Sequence, residues 1–79
     1  MTEAEERLQR IEARLNCMIA DCEREIADNR EWARRVKRDY WEMREAGRDE
    51  SQLYDLAIGF ELAADSVEKK LIELKHLMD

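Results

Sequence analysis

Apolar residues recur along the first half of the chain at steps of three and four, from Leu8 to Met43. These steps place the apolar side chains on one face of an α-helix. Residues 2–5, Thr-Glu-Ala-Glu, have the spacing of a helix-starting capping box. Gly47 follows the last periodic residues, where a glycine in the left-handed conformation commonly ends a helix. We therefore predict a long first helix over residues 3–46.

A second apolar face starts at Leu53 and continues almost to the end of the chain. Asp49 precedes it at the distance expected of an N-cap, so we predict a second helix over residues 50–78. The connection around Gly47 is so short that the two helices should lie antiparallel. The predicted fold is all-α: an antiparallel helical hairpin that forms one domain over residues 1–79.

One polar residue interrupts the first apolar stripe. Asn29 falls between Ile26 and Ala33, and the run Asp-Asn-Arg-Glu at residues 28–31 could cap a new helix. The alternative fold is then a three-helix bundle with a break near Asn29. No glycine or proline marks a turn there, which favours one continuous helix with a polar residue in its core face.

The two predicted helices differ in length, and this leaves apolar surface uncovered. At 1.5 Å per residue the longer helix extends roughly 22 Å beyond the shorter one. The second helix is also apolar on a second side, which usually means burial on two sides. A chain this short often needs a partner to complete its core. We expect a homodimer that forms a four-helix bundle or coiled coil. The candidate dimer-interface residues are Leu8, Ile11, Leu15, Tyr54, Ile58 and Leu62.

The composition excludes several classes of protein. Charged residues make up 43% and hydrophobic residues 44%, with two glycines and no proline; this is too apolar for a disordered segment and suits amphipathic helices. No uncharged run approaches the ~20 residues of a membrane span. The acidic start of the chain is the opposite of a signal peptide. We expect no membrane association, a cytoplasmic location and reduced thiols.

Charge is segregated along the chain, whose net charge is −6. Residues 30–48 contain seven basic and four acidic residues, whereas the segments on either side are acidic. On a helical wheel most of these basic residues share one flank with a tryptophan, and arginine and tryptophan are enriched at binding hot spots. The candidate partner-binding residues are Arg30, Arg34, Lys37, Arg38, Trp41, Arg44 and Arg48.

A structural interpretation of the same flank is equally available. In an antiparallel pair, the basic flank of the first helix faces an acidic flank of the second. That arrangement predicts Lys37 near Glu61, Arg30 and Arg34 near Asp65 and Glu68, and Arg44 and Arg48 near Glu50. In this interpretation the basic stripe is neutralised inside the hairpin, and Trp41 covers an edge of the core.

No pattern of catalytic or metal-binding residues is present. Cys17 and Cys22 lie about 140° apart on a helix, so their thiols point in different directions. His76 is the single histidine, and the chain has no glycine-rich phosphate loop and no zinc motif. We predict no catalytic residue, no metal and no cofactor, and expect that the protein is not an enzyme.

These observations favour a non-catalytic protein-interaction module, a small dimeric helical adaptor or inhibitor. Its size and acidity are typical of phage-encoded inhibitors of host machinery, anti-CRISPR proteins included. One alternative is a nucleic-acid-binding hairpin that uses the basic flank of residues 30–48. Another is a structural coiled-coil assembly protein. The sequence does not specify which protein the module would bind.

Overall fold

The computed structural model describes residues 2–78. It consists of two α-helices, α1 (Glu3–Glu45) and α2 (Ser51–Met78), which pack along each other. The prediction of an all-α helical hairpin is therefore confirmed. Helix α1 continues through Asn29, so the three-helix alternative is wrong. The Asn29 side chain donates a hydrogen bond to the Glu25 carbonyl oxygen at 3.0 Å, which satisfies the amide on its own helix without breaking the backbone ladder.

Both ends of α1 are fixed by local hydrogen bonds. Thr2 is the N-cap, and its hydroxyl accepts a hydrogen bond from the Glu5 N–H at 3.2 Å, as the capping-box spacing predicts. At the other end Gly47 takes a φ of 83°. The Arg48 N–H then donates to the Met43 carbonyl at 2.9 Å. This bond is the one that defines a Schellman motif, so the predicted role of Gly47 is confirmed.

The start of α2 differs by one residue from the prediction. The helix begins at Ser51, so Glu50 and not Asp49 occupies the N-cap position. The Glu50 carbonyl accepts a hydrogen bond from the Leu53 N–H at 2.9 Å. Gly47 and Arg48 belong to the Schellman motif that ends α1. Asp49 and Glu50 form the rest of the connection, so α2 begins after them.

The core is a narrow seam between the helices. At its centre the buried residues are alanines, Ala33 on α1 and Ala57 and Ala64 on α2, which let the two backbones approach closely. Tyr40 fills the seam toward the turn. The larger cluster lies away from the turn and comprises Cys22, Ile26, Leu71 and Leu74, with Leu15, Ile19 and Val67 packed against it.

Ion pairs along one flank show the register of the seam. The described residues form three inter-helix pairs: Glu23 with Lys75 at 3.9 Å, Arg30 with Glu68 at 2.8 Å, and Lys37 with Glu61. On each helix these residues are seven apart, as in a coiled coil, and the residue numbers of every pair add up to 98. In this register Met78, the last residue of α2, reaches about residue 20 of α1. Residues 3–19 of α1, here named the N-terminal extension, have no facing helix.

The molecule is therefore a rod. It measures 68 × 14 × 14 Å and has a radius of gyration of 18.9 Å, against about 12 Å for a compact domain of this length. Neither of the two described helices has a stretch long and apolar enough to cross a membrane.

Candidate functional site

Three basic residues of the candidate partner-binding flank are neutralised within the hairpin. Arg30 pairs with Glu68, Lys37 pairs with Glu61, and Arg48 pairs with Glu50 at 3.0 Å across the turn. These contacts confirm that part of the expected charge matching. The hydrogen bond from Lys37 to Glu61 stabilises the ammonium form, so the pKa of Lys37 is raised above its ordinary value.

A fourth basic residue, Arg34, is neutralised on its own helix. It forms its ion pair with Glu31, and not with Asp65 or Glu68, near which the sequence places it. Arg34 nevertheless lines a shallow groove together with Asp65. Glu31 also forms an ion pair with Arg35, whose Nε lies 3.2 Å from the Glu31 Oε1. The hydrogen bond from Arg35 and the positive charge of Arg34 hold the pKa of Glu31 below its ordinary value.

The remaining members of the flank, Arg38, Trp41 and Arg44, form what we name the Trp41 patch. The Trp41 side chain is 52% exposed and lies edge-on against the buried Tyr40 ring, with 5.2 Å between centroids. It therefore covers an edge of the core, as one interpretation of the sequence predicted, yet half of its surface faces solvent.

The two arginines of the Trp41 patch are not matched by carboxylates. Arg44 donates to the Tyr40 hydroxyl at 3.1 Å, and its guanidinium lies 5.6 Å from the centre of the Trp41 ring. The predicted pairing of Arg44 with Glu50 is wrong, because the aromatic pair attracts this side chain toward its own helix. Arg38 is exposed and forms no ion pair within residues 2–78. The patch is thus an aromatic surface beside two guanidinium groups that form no ion pair within residues 2–78.

The second tryptophan has the same exposure but a different role. Trp32 is also 52% exposed and lies on the opposite flank of α1. Its ring stacks on Phe60 of α2 with 6.4 Å between centroids, and Arg35 lies 5.5 Å from its centre. Trp32 joins the two helices, whereas the described ring contacts of Trp41 are with residues of α1 alone.

The candidate dimer-interface residues of α1 lie on the N-terminal extension. Leu8 is 55% exposed and Ile11 49% exposed, and neither belongs to the buried cluster. Leu15 is half-buried because it packs against the cluster at the end of α2. Leu15 is thus partly covered by its own chain, whereas Leu8 and Ile11 remain exposed.

The candidate dimer-interface residues of α2 are covered to different extents. Tyr54 packs against the Tyr40 ring with 5.4 Å between centroids, and Ile58 is half-buried. Leu62 is 63% exposed and points away from the seam. Ile72, which lines a shallow groove with Leu62, is 53% exposed, so α2 also carries exposed apolar side chains away from the seam.

A metal site needs several His, Cys, Asp or Glu side chains close together. Within residues 2–78 no group of three His, Cys, Asp or Glu side chains is placed to hold a metal ion. Cys22 is part of the buried cluster and Cys17 is exposed, and both are free thiols. What this molecule presents to other molecules is helix surface.

The comparisons with known proteins yield no relative. No protein-family model matches the chain. No curated protein and no solved structure is similar to it either.

Proposed function

We propose that this chain is a non-catalytic protein-interaction module, a helical adaptor or inhibitor that binds an acidic surface of another protein through the Trp41 patch. The observation that carries the proposal is the half-exposed Trp41 ring between Arg38 and Arg44. Tryptophan and arginine are the residue types that most often dominate binding energy at protein interfaces.

The charge pattern supports a small protein site over a nucleic-acid groove. A groove that follows a phosphate backbone needs several uncompensated cations in a row. Here Arg30, Arg34, Lys37 and Arg48 are paired with carboxylates. Two arginines beside one aromatic ring suit a few carboxylates on a protein better than a polyphosphate.

The proposal is tested by substituting the two tryptophans separately. Trp41 and Trp32 have the same exposure, so Trp32→Ala is the matched control for Trp41→Ala. The wild-type protein and both variants are immobilised and used to capture proteins from a lysate of the native host, with nuclease treatment to remove nucleic acid. We expect a defined protein to be captured by wild type and by Trp32→Ala, and lost with Trp41→Ala.

Stability measurements separate a lost binding surface from a lost fold. Trp41→Ala should lower the free energy of unfolding by about 0.5–1.5 kcal/mol, because it removes the edge contact with Tyr40, and should leave the hairpin folded. Trp32→Ala should be more destabilising because it removes the stack on Phe60. Unfolding of the Trp41→Ala variant would show that this ring is structural and would refute the proposal.

A direct titration tests the nucleic-acid alternative. A labelled oligonucleotide is added to the purified protein at low salt, with the double variant Arg34→Glu, Arg38→Glu as the control. We expect no saturable binding. Tight binding that weakens steeply with salt and disappears in the double variant would replace the protein-binding proposal with a nucleic-acid-binding one.

A further inference from the structure

We infer that the N-terminal extension of α1 is a self-association surface, and that its occupant is the same segment of a second copy, running antiparallel. This association is independent of the Trp41 patch and goes beyond the proposed binding of another protein. The carrying observation is the apolar stripe of α1, which continues past Met78 of α2 and leaves Leu8 and Ile11 about half exposed.

The stripe of the extension is the same surface that forms the seam. On a helical wheel Leu8, Ile11 and Leu15 lie within about 40° of Cys22, which is buried against α2. The seam thus ends because α2 ends, and the α1 face that it uses continues. Whatever covers the extension must resemble α2 in kind: a helix with an apolar stripe.

The length and direction of a helix that could cover the extension identify the occupant. It must cover residues 3–19, and it cannot continue beyond residue 20 because α2 lies on the stripe from there onward. A parallel second copy would run into α2 after residue 20. An antiparallel copy avoids this collision, since its own first residues meet the end of α2 and its later residues pass beyond Glu3. The extension of a second copy has the required length and apolar stripe, and its helix begins at Glu3, capped by Thr2.

This register also pairs the apolar side chains. When the first turn of the second copy follows directly on α2, the numbers of facing residues add up to about 20. Leu8 then lies beside the partner's Ile11, and Ile11 beside the partner's Leu8. Both α2 helices stay in place, so each copy keeps its own seam. The contact is shorter than most stable interfaces, so we expect dissociation in the micromolar range.

The flanks of the extension make the direction of pairing measurable. One flank carries Glu5 and Glu12 and the other carries Arg7 and Arg14. Antiparallel helices bring equal flanks together, as the Lys37–Glu61 pair shows within the hairpin. Arg7 therefore meets the partner's Arg14 and Glu5 meets the partner's Glu12, so the paired apolar stripe holds the two copies together against like charges on both flanks. In a parallel pair Arg7 would instead meet the partner's Glu12, so the two arrangements predict opposite effects of charge reversal at residue 7.

The test is sedimentation equilibrium of the purified protein with four single variants. Ile11→Glu should weaken association at least about tenfold, because it places a charge in the paired stripe. Its matched control is Leu62→Glu on the outward face of α2, which should have no effect. Arg7→Glu should strengthen association about three- to tenfold by replacing a repulsion with an attraction. Its control is Arg10→Glu, which makes the same charge change on the outer side of α1 and should alter association little.

Each alternative result overturns the inference. A monomer at all concentrations would show that the extension is not a self-association surface. Loss of association in Leu62→Glu would indicate a side-by-side bundle through α2. Weaker association in Arg7→Glu would indicate parallel pairing. Circular dichroism of Ile11→Glu checks the fold, which should survive because residue 11 is half-exposed and outside the buried cluster.

Discussion

At the scale of single residues, the two glycines have opposite consequences for stability. Gly47 has a φ of 83°, a conformation in which a side chain is strained, and its N–H is part of the helix-ending motif. Gly59 lies inside α2 with a helical backbone, and a Cβ added there would have no neighbour within 4 Å. A glycine inside a helix can let another backbone approach closely. Within the hairpin itself there is no such approach.

We therefore predict opposite effects of alanine at these two positions. Gly47→Ala should lower the free energy of unfolding by about 1 kcal/mol, because alanine resists the left-handed conformation. Gly59→Ala should raise it by about 0.5–1 kcal/mol, because alanine loses less backbone entropy in a helix. Urea denaturation of both variants measures the difference. A destabilising Gly59→Ala would indicate that a second copy or a partner lies against this position.

Some outcomes at single residues could be predicted from the sequence and others could not. The capping role of Thr2, the chain reversal at Gly47 and the pairing of Lys37 with Glu61 follow from spacing alone. The contacts of Arg44 do not follow from spacing, because its long and flexible side chain can reach several neighbouring residues. In the structure Arg44 contacts Tyr40 and Trp41, which lie one turn away on the same helix.

At the scale of helices, α1 is stabilised by charges that depend on pH. Glu31 interacts with Arg34 and Arg35 on the surface of α1, and these arginines lower its pKa. A lowered pKa in the folded state means that the ionised carboxylate stabilises the helix. This contribution is present above the pKa of Glu31 in the unfolded chain and is lost as pH falls through the folded-state pKa.

The stability difference between wild type and Glu31→Gln should accordingly depend on pH. Near neutral pH the wild type should be more stable, and the difference should shrink below about pH 4, where the carboxylate becomes protonated. Thermal unfolding at a series of pH values measures it. High salt is the control, because screening should reduce the difference at neutral pH. A difference that does not change between pH 7 and pH 2 would show that the ion pairs of Glu31 do not stabilise α1.

The three inter-helix ion pairs, spaced seven residues apart, explain why the pairing of the helices was predictable when some individual contacts were not. Charged residues repeated every seven positions on one flank fix the direction and register of helix pairing. Three ion pairs along the seam have the same register. The exposure of single side chains depends on where α2 ends. Leu15 lies at that boundary, so its half-burial could not be deduced from the stripe alone.

At the scale of the whole molecule, stability should be uneven along α1. All of the core residues lie between Cys22 and Leu74, and the N-terminal extension has no facing helix within its own chain. An isolated helix of about 17 residues is only marginally stable in water. The extension should therefore unfold locally without disturbing the seam, unless a second copy covers it.

Hydrogen exchange at two protein concentrations tests this uneven stability. At low concentration the amides of residues 5–14 should exchange much faster than those of residues 22–40, because local opening before Leu15 breaks no contact with the buried cluster. At high concentration the same amides should become protected, since association stabilises the helical state of the extension. The amides of residues 57–71, which lie in the seam, serve as the internal control and should change little. Uniform protection along α1 at every concentration would show instead that the extension is stable by itself, and the need for a second copy would disappear.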